Sequence, residues 1–331
     1  MRHIRVFLLI AGLAVLCACR DLHYLSTGVD SNSSPATANR HGLADSIAAK
    51  KAPPAIVRTV ADTTVAAPAK KLIALTFDDG PRPYVLFGTK GDHPAPGLVD
   101  ILDKNGIKAT FFVVGWRLTP KTWGEPRHEE NIGVTCIDAA EQLIRRGHEL
   151  EDHTYSHLEL RTAEKKNGEP WVIHDVDRGA QAIKAVTGKQ PRFVRAPDWI
   201  ITSEARKDIE QQGYRLLTIS PENPMALRDV NSLDYLCAGK NPTGCPKPSL
   251  ADGVLKQLDQ REKKGTYTHI LAFHELSTTT AAMPRLIADL KARGYRFVTL
   301  TEYMKLVGSK SDEPVKQAAM TRPAPIAALS R

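Results

Sequence analysis

The stretch Lys71-Leu72-Ile73-Ala74-Leu75-Thr76-Phe77-Asp78-Asp79-Gly80-Pro81 decides the reading of this 331-residue chain. Its aliphatic run predicts a buried strand over Lys71–Asp78. Gly80 and Pro81 turn the chain at its end, which leaves two adjacent carboxylates, Asp78 and Asp79, at the strand's C-terminus. Working outward, His153-Thr154-Tyr155-Ser156-His157 supplies imidazoles at i and i+4, which face the same way if that segment is helical. Two imidazoles and one carboxylate form a common catalytic zinc shell with positions left open. The second carboxylate then remains as a base, the equipment of a metal-assisted hydrolase. Glu149, Glu151 and Asp152 lie just before His153 and are expected to orient an imidazole N–H.

Strand-like and helix-like patterns alternate around these strings. Further strands are predicted at 108–114, 148–151, 191–195, 214–219, 268–273 and 296–300. Helices are predicted at 97–104, 137–146, 172–187, 203–212, 250–264 and 279–293, several closed by glycine. Regular alternation of this kind argues for parallel strands covered by helices, and seven units suggest a distorted (β/α)7-type barrel in the α/β class. A doubly wound open sheet is the alternative, but no Gly-rich dinucleotide fingerprint follows the first strand. Asp78, Asp79, His153, Arg195 and His274 all fall at or just after C-terminal strand ends, the active-site face of such barrels. Long loops at 82–96 and 115–135 sit on the same face and are read as either functional or simply packed over the mouth.

These strings resemble the motifs of NodB-homology polysaccharide deacetylases, carbohydrate esterase family 4. Thr76-Phe77-Asp78-Asp79-Gly80 and His153-Thr154-Tyr155-Ser156-His157 match its first two motifs, Arg195-Ala196-Pro197 its third, and the strand ending in His274 its last. The resemblance implies that Asp79, His153 and His157 hold a divalent metal, zinc being expected. It implies that Asp78 is the base, that Arg195 orients it, and that His274 gives a proton to the leaving group. A backbone N–H near the third motif is expected to face the oxyanion. Where the family carries an aromatic and a glycine after Arg-x-Pro, this chain has Asp198 and Trp199. Pro197, Asp198 and Trp199 are therefore expected to line the substrate. The fourth motif, Asp-x-x-Asp-Trp, is expected after the strand at 214–219, where the chain instead reads Ser220-Pro221-Glu222-Asn223-Pro224. The implied substrate is an acetylated amino-sugar polymer. The rival readings are an O-acetyl esterase on the same scaffold and a non-catalytic sugar-binding lipoprotein. A nucleophilic serine hydrolase is disfavoured because no Gly-x-Ser-x-Gly string occurs.

The two ends read differently from the middle. Residues 1–19 form a targeting segment, with Arg2 and Arg5 ahead of an apolar stretch too short to span a bilayer. It closes as Leu16-Cys17-Ala18-Cys19, similar to a bacterial lipobox, with Cys19 the expected lipidation site and the cell envelope the expected location. Residues 20–70 read as a disordered tether, 71–307 as the deacetylase-like domain and 308–331 as a tail. The net charge of +8 is inflated by the two ends, basic and acidic residues otherwise interleave, and no basic stripe argues for nucleic acid. A monomer is expected. Past the signal, Cys136, Cys237 and Cys245 remain; Cys237 and Cys245 could bridge in an oxidising compartment or stay separate thiols.

Overall fold

The computed structural model describes residues 71–90, 94–119, 128–129, 133–217, 229–238 and 243–307. The predicted signal, tether, tail and Cys19 lie outside these residues, as does the 220–224 stretch.

Strand β1 (Leu72–Gly80) leads through α1 (Pro83–Phe87) and α2 (Leu98–Lys104) to β2 (Thr110–Val113). A two-stranded hairpin, β3 (His128–Glu129) and β4 (Val134–Thr135), precedes α3 (Cys136–Arg145) and β5 (Glu149–Asp152). Then follow α4 (Leu160–Asn167), α5 (Glu169–Thr187), β6 (Phe193–Arg195), α6 (Ser203–Gln211) and β7 (Arg215–Leu217). The remainder is β8 (Asp229–Asn231), α7 (Leu250–Glu262), β9 (Thr268–His274), α8 (Ser277–Ala292), β10 (Arg296–Val298) and α9 (Leu300–Val307).

The main sheet is parallel throughout, in the order β7-β6-β5-β2-β1-β9-β8, with β10 pairing the first residues of β1. It curls into the expected distorted α/β barrel. All seven predicted strands are present. β8 was not foreseen: at three residues it is too short to show a period, and a long connection separates it from β7. The helices α1, α4 and α9 were also missed, being only five to eight residues long.

Side-chain alternation along β1 explains the two halves of the core. Leu72 and Ala74 join Phe112, Phe193, Leu217 and Ile270 in an inner cluster that Tyr303 and Met304 of α9 complete. Ile73, Leu75 and Phe77 face the helical layer with Leu98, Leu143, Leu286 and Phe273. Phe77 is wholly buried, stacked between Phe111 at 5.2 Å and Phe273 at 5.8 Å. At the start of the 82–96 loop Pro83, Val85 and Leu86 are buried, while Tyr84, Lys90 and residues 94–96 are exposed. Cys237 and Cys245 are bridged.

Truncating Phe77 leaves a cavity at the centre of the outer layer. Phe77→Ala is therefore expected to lose about 3–5 kcal/mol of stability in urea denaturation. A loss below about 1 kcal/mol would mean that this layer is not the core.

Candidate active site

Strict alternation would send Asp79 to the face opposite Asp78. The pairing of β1 with β2 slips between Phe77 and Gly80, and Asp79 adopts a left-handed backbone, φ +71. For a residue other than glycine this conformation costs about 1–2 kcal/mol. It turns the carboxylate toward the end of β5, where Asp79 Oδ1 lies 2.9 Å from His157 Nε2 and 3.4 Å from His153 Nε2. One ligand atom from each of the three residues falls within 4.8 Å of the others.

His153 and His157 are not on a helix. They sit in the irregular loop after β5, with Thr154 and His157 both left-handed, φ +65 and +60. Their i,i+4 spacing therefore works through a tight turn rather than a helix face. The His157 N–H donates to Thr154 Oγ1, and Ser156 donates from both N and Oγ to Asp175 of α5. Gly179 lets α5 approach this closely, because a Cβ there would overlap the Asp152 carboxylate.

The carboxylates expected to orient an imidazole are used elsewhere. Glu149 accepts from Thr110 and Thr301, and Glu151 from the N–H groups of Arg192 and Phe193, while Asp152 packs against α5. The orienting acceptor is a backbone carbonyl: His153 Nδ1 is 2.8 Å from Arg195 O. A carbonyl can only accept, so Nδ1 carries a proton, and Nε2 is the atom left to face Asp79. Burial alone would raise the Asp79 carboxyl, but hydrogen bonding and charge from His153 and His157 hold it well below the usual carboxylate range. A lone pair facing an anion requires a cation between them, a second proton or a metal. One carboxylate and two imidazoles suit zinc and similar divalent ions.

Asp78, wholly buried, receives Arg195 Nη1 on Oδ1 at 2.6 Å. The same nitrogen donates to Thr76 Oγ1, which in turn donates to Leu271 O. The guanidinium stacks over Phe112 at 4.1 Å and against Trp199 at 5.2 Å. Asp78 Oδ2 has no protein partner. Arg195 is thus placed to orient Asp78.

Asp198 and Trp199 are consecutive left-handed residues after buried Pro197, and this turn folds the half-buried indole back over Arg195 while leaving Asp198 exposed. The N–H groups of Trp199 and Ile200 donate to Ala196 O and Pro197 O, so these two are not aimed at a substrate.

His274 pairs in register with Asp78 across β9 and β1. Its Nδ1 and its backbone N–H each lie 2.7 Å from a different oxygen of buried Asp234, which also accepts from Thr279 Oγ1. Sequence reading missed Asp234. The string Asn231-Ser232-Leu233-Asp234-Tyr235 carries an Asp and an aromatic three and four residues after a polar residue, the pattern sought for the fourth motif. It follows the unforeseen β8 rather than β7. The Tyr235 ring stands edge-on to His274 at 5.8 Å. Burial would lower the His274 pKa, but the hydrogen bond and charge of Asp234, with the charges of Asp78 and Asp79, raise it to about 9. His274 is therefore protonated at neutral pH and able to act as an acid.

Residues 66–217 match a family model described as polysaccharide deacetylase. The chain is 24% identical over 240 residues to a peptidoglycan-N-acetylglucosamine deacetylase of Bacillus cereus, covering 71% of this chain and 89% of that protein. It is 25% identical over 233 residues to a chitin deacetylase of Colletotrichum lindemuthianum, covering 70% and 78%. Among solved structures, a family 4 acetyl xylan esterase from Clostridium thermocellum, in complex with a cobalt ion, superposes with a TM-score of 0.51 at 24% identity. That likeness covers 72% of this chain and 92% of the other, and shows a shared fold. The family-model match spans residues 66–217, less than half of the chain, and marks a similarity in sequence to polysaccharide deacetylases.

The His274 proton is held more tightly in the folded protein, at about 9, than in the unfolded chain, at about 6.5. Its contribution to stability is fully present below pH 6.5 and is lost as pH rises through 9. Asp234→Asn should therefore destabilise most below pH 6.5 and progressively less toward pH 9. Thermal melts across pH 5–10 read this directly, and a pH-independent gap would contradict it.

Proposed function

We propose that this deacetylase-type domain is a metal-dependent hydrolase that removes N-acetyl groups from an amino-sugar polysaccharide such as chitin, peptidoglycan or poly-glucosamine. One observation carries the reading. A three-residue donor set shares its rim with a buried carboxylate that is not part of the set and with a protonated imidazole. Binding sugar requires neither of these last two, which argues against a non-catalytic role.

Asp79, His153 and His157 are the residues that would hold the ion, with zinc favoured by the donors. When bound, a divalent cation polarises an acyl carbonyl and lowers the pKa of a neighbouring water. Asp78 accepts the proton of the attacking water, held in position by Arg195. His274, steadied by Asp234, donates a proton to the departing nitrogen, since expulsion of an amide anion is prohibitive. Asp198 and Trp199 form the wall against which the sugar rests, with the Trp199 ring as the stacking surface, and Pro197, expected in that wall, is instead buried behind it. The chemistry for an O-acetyl ester is the same, and the likeness to an acetyl xylan esterase keeps that second reading in view.

We further propose that lipidated Cys19 anchors the chain in the cell envelope, with residues 20–70 as the tether. The Cys237–Cys245 bridge supports an oxidising compartment.

Purified variants separate these roles. Asp79→Ala and His157→Ala should lose nearly all bound zinc by metal analysis, whereas Asp78→Asn should keep it and lose most acetate release from acetylated polymers. Trp199→Ala should keep metal and raise KM about fivefold to tenfold, the loss of an aromatic contact worth about 1–1.4 kcal/mol. Wild-type metal content in the first two would overturn the donor set. No acetate from chitin oligomers, peptidoglycan or poly-glucosamine, with release from acetylated xylan, would favour the esterase. On cell fractionation, Cys19→Ser should release soluble protein and Cys17→Ser should not; the reverse would move the anchor.

A further inference from the structure

Beneath the turn that carries Asp79 lies a side chain that the chemistry above does not use. Glu275 follows His274 at the end of β9 and is wholly buried. Its backbone N–H donates to Asp78 O at 3.1 Å, and its Oε2 accepts the Arg82 N–H at 2.6 Å. It therefore grips the 78–82 stretch at both ends. Between these points Gly80 passes so close to the carboxylate that a Cβ would overlap Oε1, an oxygen with no hydrogen-bond partner. Only glycine leaves room for the acid at that position. Arg82 makes a second tie, with Nη2 3.4 Å from Asp79 Oδ2 while Asp79 Oδ1 faces the imidazoles.

A buried carboxylate carries a desolvation cost that an apolar side chain of the same size would not. Here its reach is spent on the backbone of the turn whose one strained residue, left-handed Asp79, supplies the acidic ligand. Released from Arg82, that backbone has no reason to keep φ positive.

We propose that Glu275 is a positioning residue: through the Arg82 N–H it sets the conformation of the turn and so aims Asp79 at His153 and His157. The inference rests on the donor set assigned above. Residues that orient a ligand typically change metal affinity by about 10–100-fold when removed. Glu275→Ala should therefore bind zinc at least about tenfold more weakly, and kcat should fall with KM nearly unchanged. Glu275→Gln keeps an oxygen for the Arg82 N–H and should recover affinity to within about threefold of wild type.

The test is zinc competition against a chromophoric chelator on the purified full chain, with circular dichroism as the check on folding. Leu286→Ala, in the helical layer, serves as a purely destabilising control that should lower the melting temperature and leave zinc affinity unchanged. Glu275→Ala behaving like this control would overturn the proposal, and so would Glu275→Gln binding as weakly as Glu275→Ala. Should Glu275→Ala fail to fold, Glu275→Asp, one methylene shorter, must show the loss instead, and wild-type affinity there would overturn it. A wild-type chain that binds no zinc would fail differently, by removing the donor set itself.

Discussion

The buried pair between Arg195 and Asp78 is the constraint on which the rest of the site depends. Both residues are fully enclosed, and the guanidinium spends one nitrogen on Asp78 and Thr76 while its face rests on Phe112. Removing either partner would strand a charge in the barrel, a change that costs about 3–5 kcal/mol in comparable settings. The carbonyl of the same residue fixes the tautomer and direction of His153. One residue at the end of β6 thus registers the proposed base on β1 against a proposed metal ligand after β5. A shift of β6 along its axis would disturb both at once.

Around that pair the backbone is strained where the chemistry needs it. Among the described residues, the non-glycine positions with positive φ are Asp79, Thr154, His157, Asp198, Trp199 and Leu233. Each is a site residue or stands next to one. Parallel strands end in regular positions, so bringing ligands from β1 and from the loop after β5 to one point requires turns sharper than ordinary loops supply. The surrounding hydrogen bonds hold them: Ser156 to Asp175, His157 to Thr154, and Glu275 to Arg82. Rigidity at this rim belongs to the buried scaffold beneath it.

Much of this was legible in the sequence because the determinants are local. Leu72 to Leu75 could only be a buried strand, the glycines closed the helices, and Asp78, Asp79, His153, His157, Arg195 and His274 stood in ordered strings at strand ends. What was hidden depends on distance in the chain. Asp234 lies 40 residues before the His274 it orients and follows a three-residue strand that no periodicity reveals. The partner of His153 is a carbonyl, which leaves no mark in a sequence. The carboxylates before His153 looked suited to that task, but β5 directs them to β6, to α5, and to β2 and the first turn of α9.

The proposed chemistry stands on Asp79, His153 and His157 forming one metal site beside an Asp78 that does not ligate. A crystal structure of the protein grown with zinc, with anomalous data collected at the zinc edge, tests it most directly. The expected result is a single strong peak coordinated by one oxygen of Asp79 and by Nε2 of both histidines, with Asp78 still bound to Arg195. A peak ligated by Asp78, or no peak among these residues at saturating zinc, would contradict it.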